Sequence, residues 1–263
     1  MPRAEDGEGF HAPTLEEFFP PVFLFEGSPF EINRIIMVRL IAVAVLILLF
    51  WIGTRRLRVV PGRGQSIVEL AFGFVRTNIA DEILGRKHGR RFLPLLTTIF
   101  FLVLATNITG VIPGLNIAGS SLIGLPLVLA VIAYVAFIYA GIKNRGGKFF
   151  VTALFPPGVP KPLYILLTPI EFLSTFILRP VSLTLRLLMN MVVGHLLLVL
   201  CFAATDFFLF NASVDGPLRL IGAGTFAFGA FFTVFEILVA LLQAYIFTLL
   251  TAVYIQLAVS EEH

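Results

Sequence analysis

Cysteine occurs once in the 263 residues, at Cys201 inside an apolar run, which leaves neither a disulfide framework nor a cysteine-based metal site to consider. Charge is scarce as well. Asp, Glu, Lys and Arg make up 13% of the chain against 58% hydrophobic residues, and the mean hydropathy is +0.96. That balance lies outside the range of soluble domains and identifies a polytopic membrane protein. A nucleic-acid partner is excluded too: the formal net charge of +3 arises from arginines in short loops, with no basic patch interleaved with aromatics. The start, MPRAEDGEGFHAPTLEEFFPPVF, is acidic and lacks the basic-then-apolar order of a signal peptide, so residues 1–34 are expected to be mature extramembrane sequence. No internal repeat, low-complexity tract or Walker-type glycine loop is present. Nucleotide chemistry is therefore not expected of this chain, and no cofactor or metal is implied.

What the chain has in quantity is long apolar runs. A membrane helix needs about 20 apolar residues, and residues 35–53, IIMVRLIAVAVLILLFWIG, are the first to qualify, with Arg39 near the start and able to snorkel. Arg55, Arg56, Arg58 and Arg63 follow, which by the positive-inside rule puts this side in the cytoplasm and the N-terminus outside. Residues 65–85 read as an amphipathic helix at the cytoplasmic interface, with Ile67, Ala71, Phe74, Val75, Ile79 and Ile83 at helical spacing. Two further spans are expected at 93–112 and 122–142, joined by an uncharged external connection. Lys143, Arg145 and Lys148 then bring the chain back to the cytoplasm.

The last third is different. Residues 163–210 and 218–259 are apolar almost throughout, and as continuous helices they would be roughly 70 Å and 60 Å long, about twice the hydrocarbon thickness. Either each is broken, Pro180 being the obvious place in the first, or the pair is a strongly tilted hairpin, the preferred reading. The Pro-rich FPPGVPKP before it is expected to be a loop. Domain organisation is thus an extramembrane segment, 1–34, and one helical membrane domain, 35–263. The fold class is all-α, with about five membrane-embedded helices and one interfacial helix.

Polar residues inside the hairpin are few and ordered. Arg186 sits near the middle of its segment, with Ser182 and Asn190 four residues to either side, which aligns the three on one helical stripe. Glu236, Gln243 and Tyr254 share a face of the second segment. His195, nine residues beyond Arg186, falls on roughly the opposite side and is placed to meet Glu236. Burying an arginine at bilayer depth costs from ~3 to more than 10 kcal/mol. His195 and Glu236 can exchange protons, whereas Arg186 stays charged. A fixed cation in mid-membrane repels a migrating proton, so the layout suggests two proton paths separated by a barrier. A structural Arg186–Glu236 ion pair is the competing reading, and Ser182, Asn190 and Gln243 can also serve as ordinary interhelical hydrogen-bonding residues.

The run RPVSLTLRLLMNMVVGH (179–195) with the later FEILVALLQAYIFTLLTAVYIQLAVSEEH (235–263) resembles the subunit a family of F-type ATP synthases, the membrane stator beside a rotating c-ring. The resemblance extends through TNITGVIP and covers most of the chain from about residue 65. It implies that Arg186 faces the ring carboxylates, attracting each as its proton leaves and blocking leakage between two half-channels. It places Asn190, His195, Glu236 and Gln243 along the aqueous routes, with His195 and Glu236 on the outer one, and it brings in Glu171 as a further carboxylate, one residue farther from Pro180 than in other members. Gly110 stands where some relatives carry an aspartate, with Asn107 as a substitute.

The resemblance further implies a non-catalytic subunit, one copy per complex, with the c-ring and peripheral-stalk b subunits as protein partners, the lipid bilayer as its environment and a proton as the translocated ion. The glycine-rich stretch 222–232, GAGTFAFGAFF, is expected to be slim enough to let a ring pass. A free-standing proton-coupled secondary transporter is the alternative function, though the repeated halves of that class are not visible. A structural scaffold would leave the polar stripes unexplained. Fifteen arginines against four lysines suit a GC-rich bacterial genome, so a bacterial plasma membrane is expected, with the C-terminus in the cytoplasm.

Overall fold

Backbone amides in a bilayer have no water to bond, so helices that satisfy them internally are the available solution for a chain of this composition. The computed structural model describes residues 22–24, 32–55, 62–112, 119–155, 161–210 and 216–260. Helix α1, Arg34–Thr54, is N-capped by Asn33, whose side-chain oxygen accepts from the Ile36 amide at 2.9 Å. Helix α2, Arg63–Val75, passes through a π-helical turn, Arg76–Asp81, into α3, Glu82–Ile108. Helix α4 spans Gly124–Arg145 and the short α5 Lys148–Leu154. Helix α6, Tyr164–Phe172, continues through a second π-helical turn, Leu173–Leu178, into α7, Arg179–Phe210; α8, Arg219–Val259, returns alongside it.

Five stretches are long and apolar enough to cross a membrane: Arg34–Thr54, Arg63–Ile108, Gly124–Arg145, Tyr164–Phe210 and Arg219–Val259. Among the described residues the departure from an all-α fold is one small antiparallel pair, β1 (Val22–Leu24) with β2 (Ile32–Asn33), just ahead of α1. Several expectations lie outside the described residues. They concern most of the N-terminal segment, Arg56 and Arg58, the uncharged connection at 113–118, the Pro-rich loop at 156–160, the turn at 211–215 and the acidic end at 261–263.

Helix α8 is the hub, packing against α3, α4 and α7. Its Phe247, Ala244 and Ile255 interlock with Leu96 and Val103 of α3 and Ala130 of α4, all fully buried. Around this core the exposed surface is itself apolar: Leu48, Ile52, Val135 and Leu238 are examples, as befits side chains that face lipid or another apolar body.

The structure corrects four local expectations. The helix expected over 65–85 forms, but its apolar residues do not share one buried face. Ile67 and Phe74 are exposed while Val75, Ile79 and Ala80 are fully buried, because the π-helical turn shifts the angular register midway. The helix breaks at Gly85, whose φ of 68° and ψ of 165° belong to a region that glycine alone enters freely. The second span therefore runs from just past this kink to Ile108 rather than from 93 to 112.

Arg39 does not snorkel to solvent: its guanidinium donates to the carbonyls of Gly119 and, at 3.1 Å, Leu122, which clamps α1 to the approach to α4. Pro180 does not break the long segment. The carbonyl its ring would meet belongs to Phe176, inside the wider π-helical turn, which relieves the clash.

Finally, Gly222 and Gly229 are buried between the two long helices. A Cβ at Gly222 would lie 2.8 Å from Leu209 Cγ, and one at Gly229 3.3 Å from Cys201 Cβ, so these glycines serve close helix approach. The outward side of that stretch carries Ala223, Gly224, Ala227 and Ala230 together with Phe226, Phe228 and Phe231, all exposed.

Candidate functional site in the long helical hairpin

Helices α7 and α8 run antiparallel in steady register: Leu209 meets Gly222, Cys201 meets Gly229, Gly194 meets Glu236, and Asn190 meets Gln243. Small residues permit this approach, as is usual between membrane helices. The register decides which expected site residues come together.

Glu236 is buried at 4% exposure and rests on Gly194. A Cβ there would lie 2.7 Å from the carboxylate Oε1, so the glycine before His195 leaves the space the carboxylate fills. His195, the next residue along α7, is buried as well. Glu236 Oε2 has no hydrogen-bond partner among the described residues, an arrangement that leaves an acceptor for an incoming proton or water. About two turns along α8, Gln243 Oε1 accepts from Asn190 Nδ2 at 2.8 Å, while its own Nε2 is buried and without a partner among the described residues. Glu236 and Gln243 thus lie buried on the α7-facing side of α8, with Asn190 reaching in from the exposed stripe of α7 and His195 buried next to Gly194 in the chain.

Arg186 is separate from it. It is exposed on α7 beside Leu185 and Met189, at 46% and 52% exposure, and makes no ion pair or hydrogen bond among the described residues. An Arg186–Glu236 ion pair is therefore not formed. Ser182, on the same exposed stripe, turns its hydroxyl back to the Arg179 carbonyl at 3.0 Å. Tyr254 lies lower on α8, with its ring 5.3 Å from the Arg179 guanidinium.

Glu171 is placed away from the band, in a cavity of about 180 Å³ between α4, α5, α6, α7 and the end of α8. Arg145, Thr152, Thr175, Arg179 and Ser260 share it. At ~30 Å³ per molecule, such a space holds about six waters. The sequence reading missed Arg145 and Arg179 as site residues; the available signal was a second arginine in the long apolar run, seven positions before Arg186. Near the other end of α3 a second polar cluster is buried, where Ser120 Oγ donates to Asn107 Oδ1 at 2.5 Å and Asn107 Nδ2 and Ser121 Oγ have no partner among the described residues.

The Asn190–Gln243 bond yields a stability prediction. Asn190→Ala leaves both polar ends of a buried Gln243 amide unpaired, at an expected cost of ~1–3 kcal/mol. Thermal unfolding of the detergent-solubilised protein should show the loss, and adding Gln243→Leu should recover most of it. A single variant as stable as the parent would refute the pairing.

The arrangement provides proton-exchanging groups inside the hairpin, a water-sized cavity at the end where α4 and α8 finish, and an unpaired cation between them on an apolar outer face. The family model described as ATP synthase A chain matches residues 36–256. ATP synthase subunit a of Rhodococcus erythropolis is 51% identical over 257 residues, covering 97% of this chain and 92% of the relative. The protein of that name from Frankia alni is 38% identical over 253 residues, covering 94% and 86%. The one from Pseudarthrobacter chlorophenolicus is 35% identical over 258 residues, covering 97% and 95%.

Proposed function

This chain belongs to the ATP synthase A chain family, and from that premise we propose that it is the proton-conducting stator of an ATP synthase, forming two offset half-channels against a c-ring. The observation that carries the reading is Arg186: an exposed guanidinium without a partner among the described residues, on the apolar face of a helix that packs no neighbour there. A cation so placed is stable only if a counter-charge visits it, and a ring carboxylate at mid-membrane is such a charge. The outer half-channel follows the buried His195, Glu236 and Gln243, with Asn190 reaching in from the exposed face of α7. The cytoplasmic half-channel is the cavity at Glu171, beside Arg145 and Lys143 on the basic side. Protons pass between the two only by riding the ring.

The N-terminus lies outside and the C-terminus in the cytoplasm of a bacterial plasma membrane, with one copy per complex held by peripheral-stalk b subunits. The long hairpin is tilted, since α8 with its 41 residues is about 60 Å long. Protons driven across 100 mV supply ~2.3 kcal/mol each, and the nucleotide chemistry they power resides in partner subunits.

Co-reconstitution tests this. Vesicles containing this chain together with the ring and stalk should dissipate an imposed pH gradient, whereas vesicles containing this chain alone should stay tight. Conduction by the chain alone, at the rate of the assembled sector, would overturn the stator reading in favour of a free-standing transporter.

A further inference from the structure

Arg179 lines the cytoplasmic cavity and, with Phe137, also reaches into the bundle. Its guanidinium is half-buried and lies between two rings, 5.4 Å from the centroid of Phe137 on α4 and 5.3 Å from that of Tyr254 on α8. Cation–π contacts at both faces fix it more firmly than either alone. On one side Arg179 lines the water-sized cavity with Glu171, Arg145 and Thr175. On the other, the gap bounded by Arg179, Phe137, Pro180, Leu183, Tyr134 and Tyr254 is too narrow to hold a water molecule. A wet chamber and a dry constriction therefore meet at this cation.

Behind the constriction runs a line of buried polar groups. Thr251, Thr248, Gln243 and Glu236 follow Tyr254 along the inward face of α8, each at most 4% exposed. Were water to enter past Tyr254, that line would join the cytoplasmic cavity to Glu236 through the interior of the bundle. Arg186 could not prevent it, because Arg186 stands on the outer face of α7.

We propose that Arg179, stacked between Phe137 and Tyr254, is a second electrostatic barrier that closes this inner route, so that protons in the cytoplasmic cavity reach the outer half-channel only by way of the ring. The inference rests on the two-half-channel reading above. A guanidinium keeps its charge in such a setting, and the ionisable groups that face it are Glu171 from α6, Tyr134 from α4 and Tyr254 from α8, with Arg145 across the cavity. Glu171 holds the cation towards the cavity side, and the rings exclude water around it. Arg179 is a positioning and barrier residue, with no direct contact to the ring.

The test uses the intact complex in vesicles without nucleotide, a condition in which the ring is held and any decay of an imposed pH gradient is slip. Arg179→Gln should raise that decay by about tenfold, equivalent to ~1.4 kcal/mol off the barrier, while Arg179→Lys, which keeps a cation, should remain near the parent rate and also reports if the glutamine variant assembles poorly. A glutamine variant as tight as the parent, or a lysine variant as leaky as the glutamine one, would overturn the proposal. Its failure is distinguishable from failure of the stator reading. A tight Arg179→Gln complex in which Arg186→Ala still abolishes pumping removes the inner barrier alone, whereas pumping that survives Arg186→Ala removes the stator mechanism itself.

Discussion

Replacing Arg186 by alanine is expected to reduce ATP-driven proton pumping to background while leaving passive conduction through the membrane sector measurable. The size of the effect follows from electrostatics. A guanidinium and a carboxylate ~4 Å apart attract by ~4 kcal/mol at an effective dielectric of ~20, about a thousandfold in the deprotonation equilibrium of an arriving carboxylate. Without the cation the carboxylate keeps its proton and passes on loaded, so turning the ring moves no net charge. Because Arg186 is exposed and has no partner among the described residues, its removal leaves no buried charge unpaired and opens no cavity. Assembly should survive, and the loss should be purely functional.

Arg186→Lys should also be strongly impaired, since a compact ammonium lacks the planar fork of arginine. Acidification of inverted vesicles on ATP addition, read with the passive decay of a gradient in vesicles stripped of the catalytic sector, measures both quantities. Pumping within about twofold of the parent, far from the thousandfold bias above, would show that Arg186 takes no part in coupling.

Glu236→Gln should give the second largest loss, a fall of about a hundredfold in proton flux, the low end of what a positioned proton-exchanging group contributes. Glutamine has nearly the shape of the carboxyl, so the contact with Gly194 is preserved and folding should be little changed. What disappears is the ability to take and release a proton at the one carboxylate buried in the hairpin contact. Glu236→Asp should retain part of the flux, because the group is kept but drawn back from Gly194. The initial rate of acidification per assembled complex decides the matter, and an undiminished rate for the glutamine variant would remove Glu236 from the route.

Much of the site was legible from residue order alone. An arginine amid leucines near the centre of a run too long for one upright helix has no inexpensive structural explanation, and the period of 3.6 put Ser182 and Asn190 on its stripe and Glu236 with Gln243 on another. Arg179 was overlooked because an arginine in an apolar run does not by itself show which way it turns; whether it points to water or into a bundle is decided by Phe137 and Tyr254, which stand 42 and 75 positions away in the chain. The glycines at 222 and 229 show the same division, since they seat α7 whereas Gly224 of the same stretch is exposed. Smallness is visible in the sequence, but the neighbour that exploits it is not.

The sequence by itself determined the helices and their approximate ends, since hydrophobic length, helical period and the penalty for an unpaired amide in lipid act over neighbouring residues. It also placed Arg186, His195 and Glu236 inside runs long and apolar enough to cross a membrane. Tertiary structure alone decided that Arg186 looks outward while Arg179 is stacked inward, that Glu236 meets Gly194 rather than Arg186, and that a π-helical turn carries the chain past Pro180. Each of these depends on the rotation of one helix about its axis against another, which is set by contacts between residues far apart in the chain.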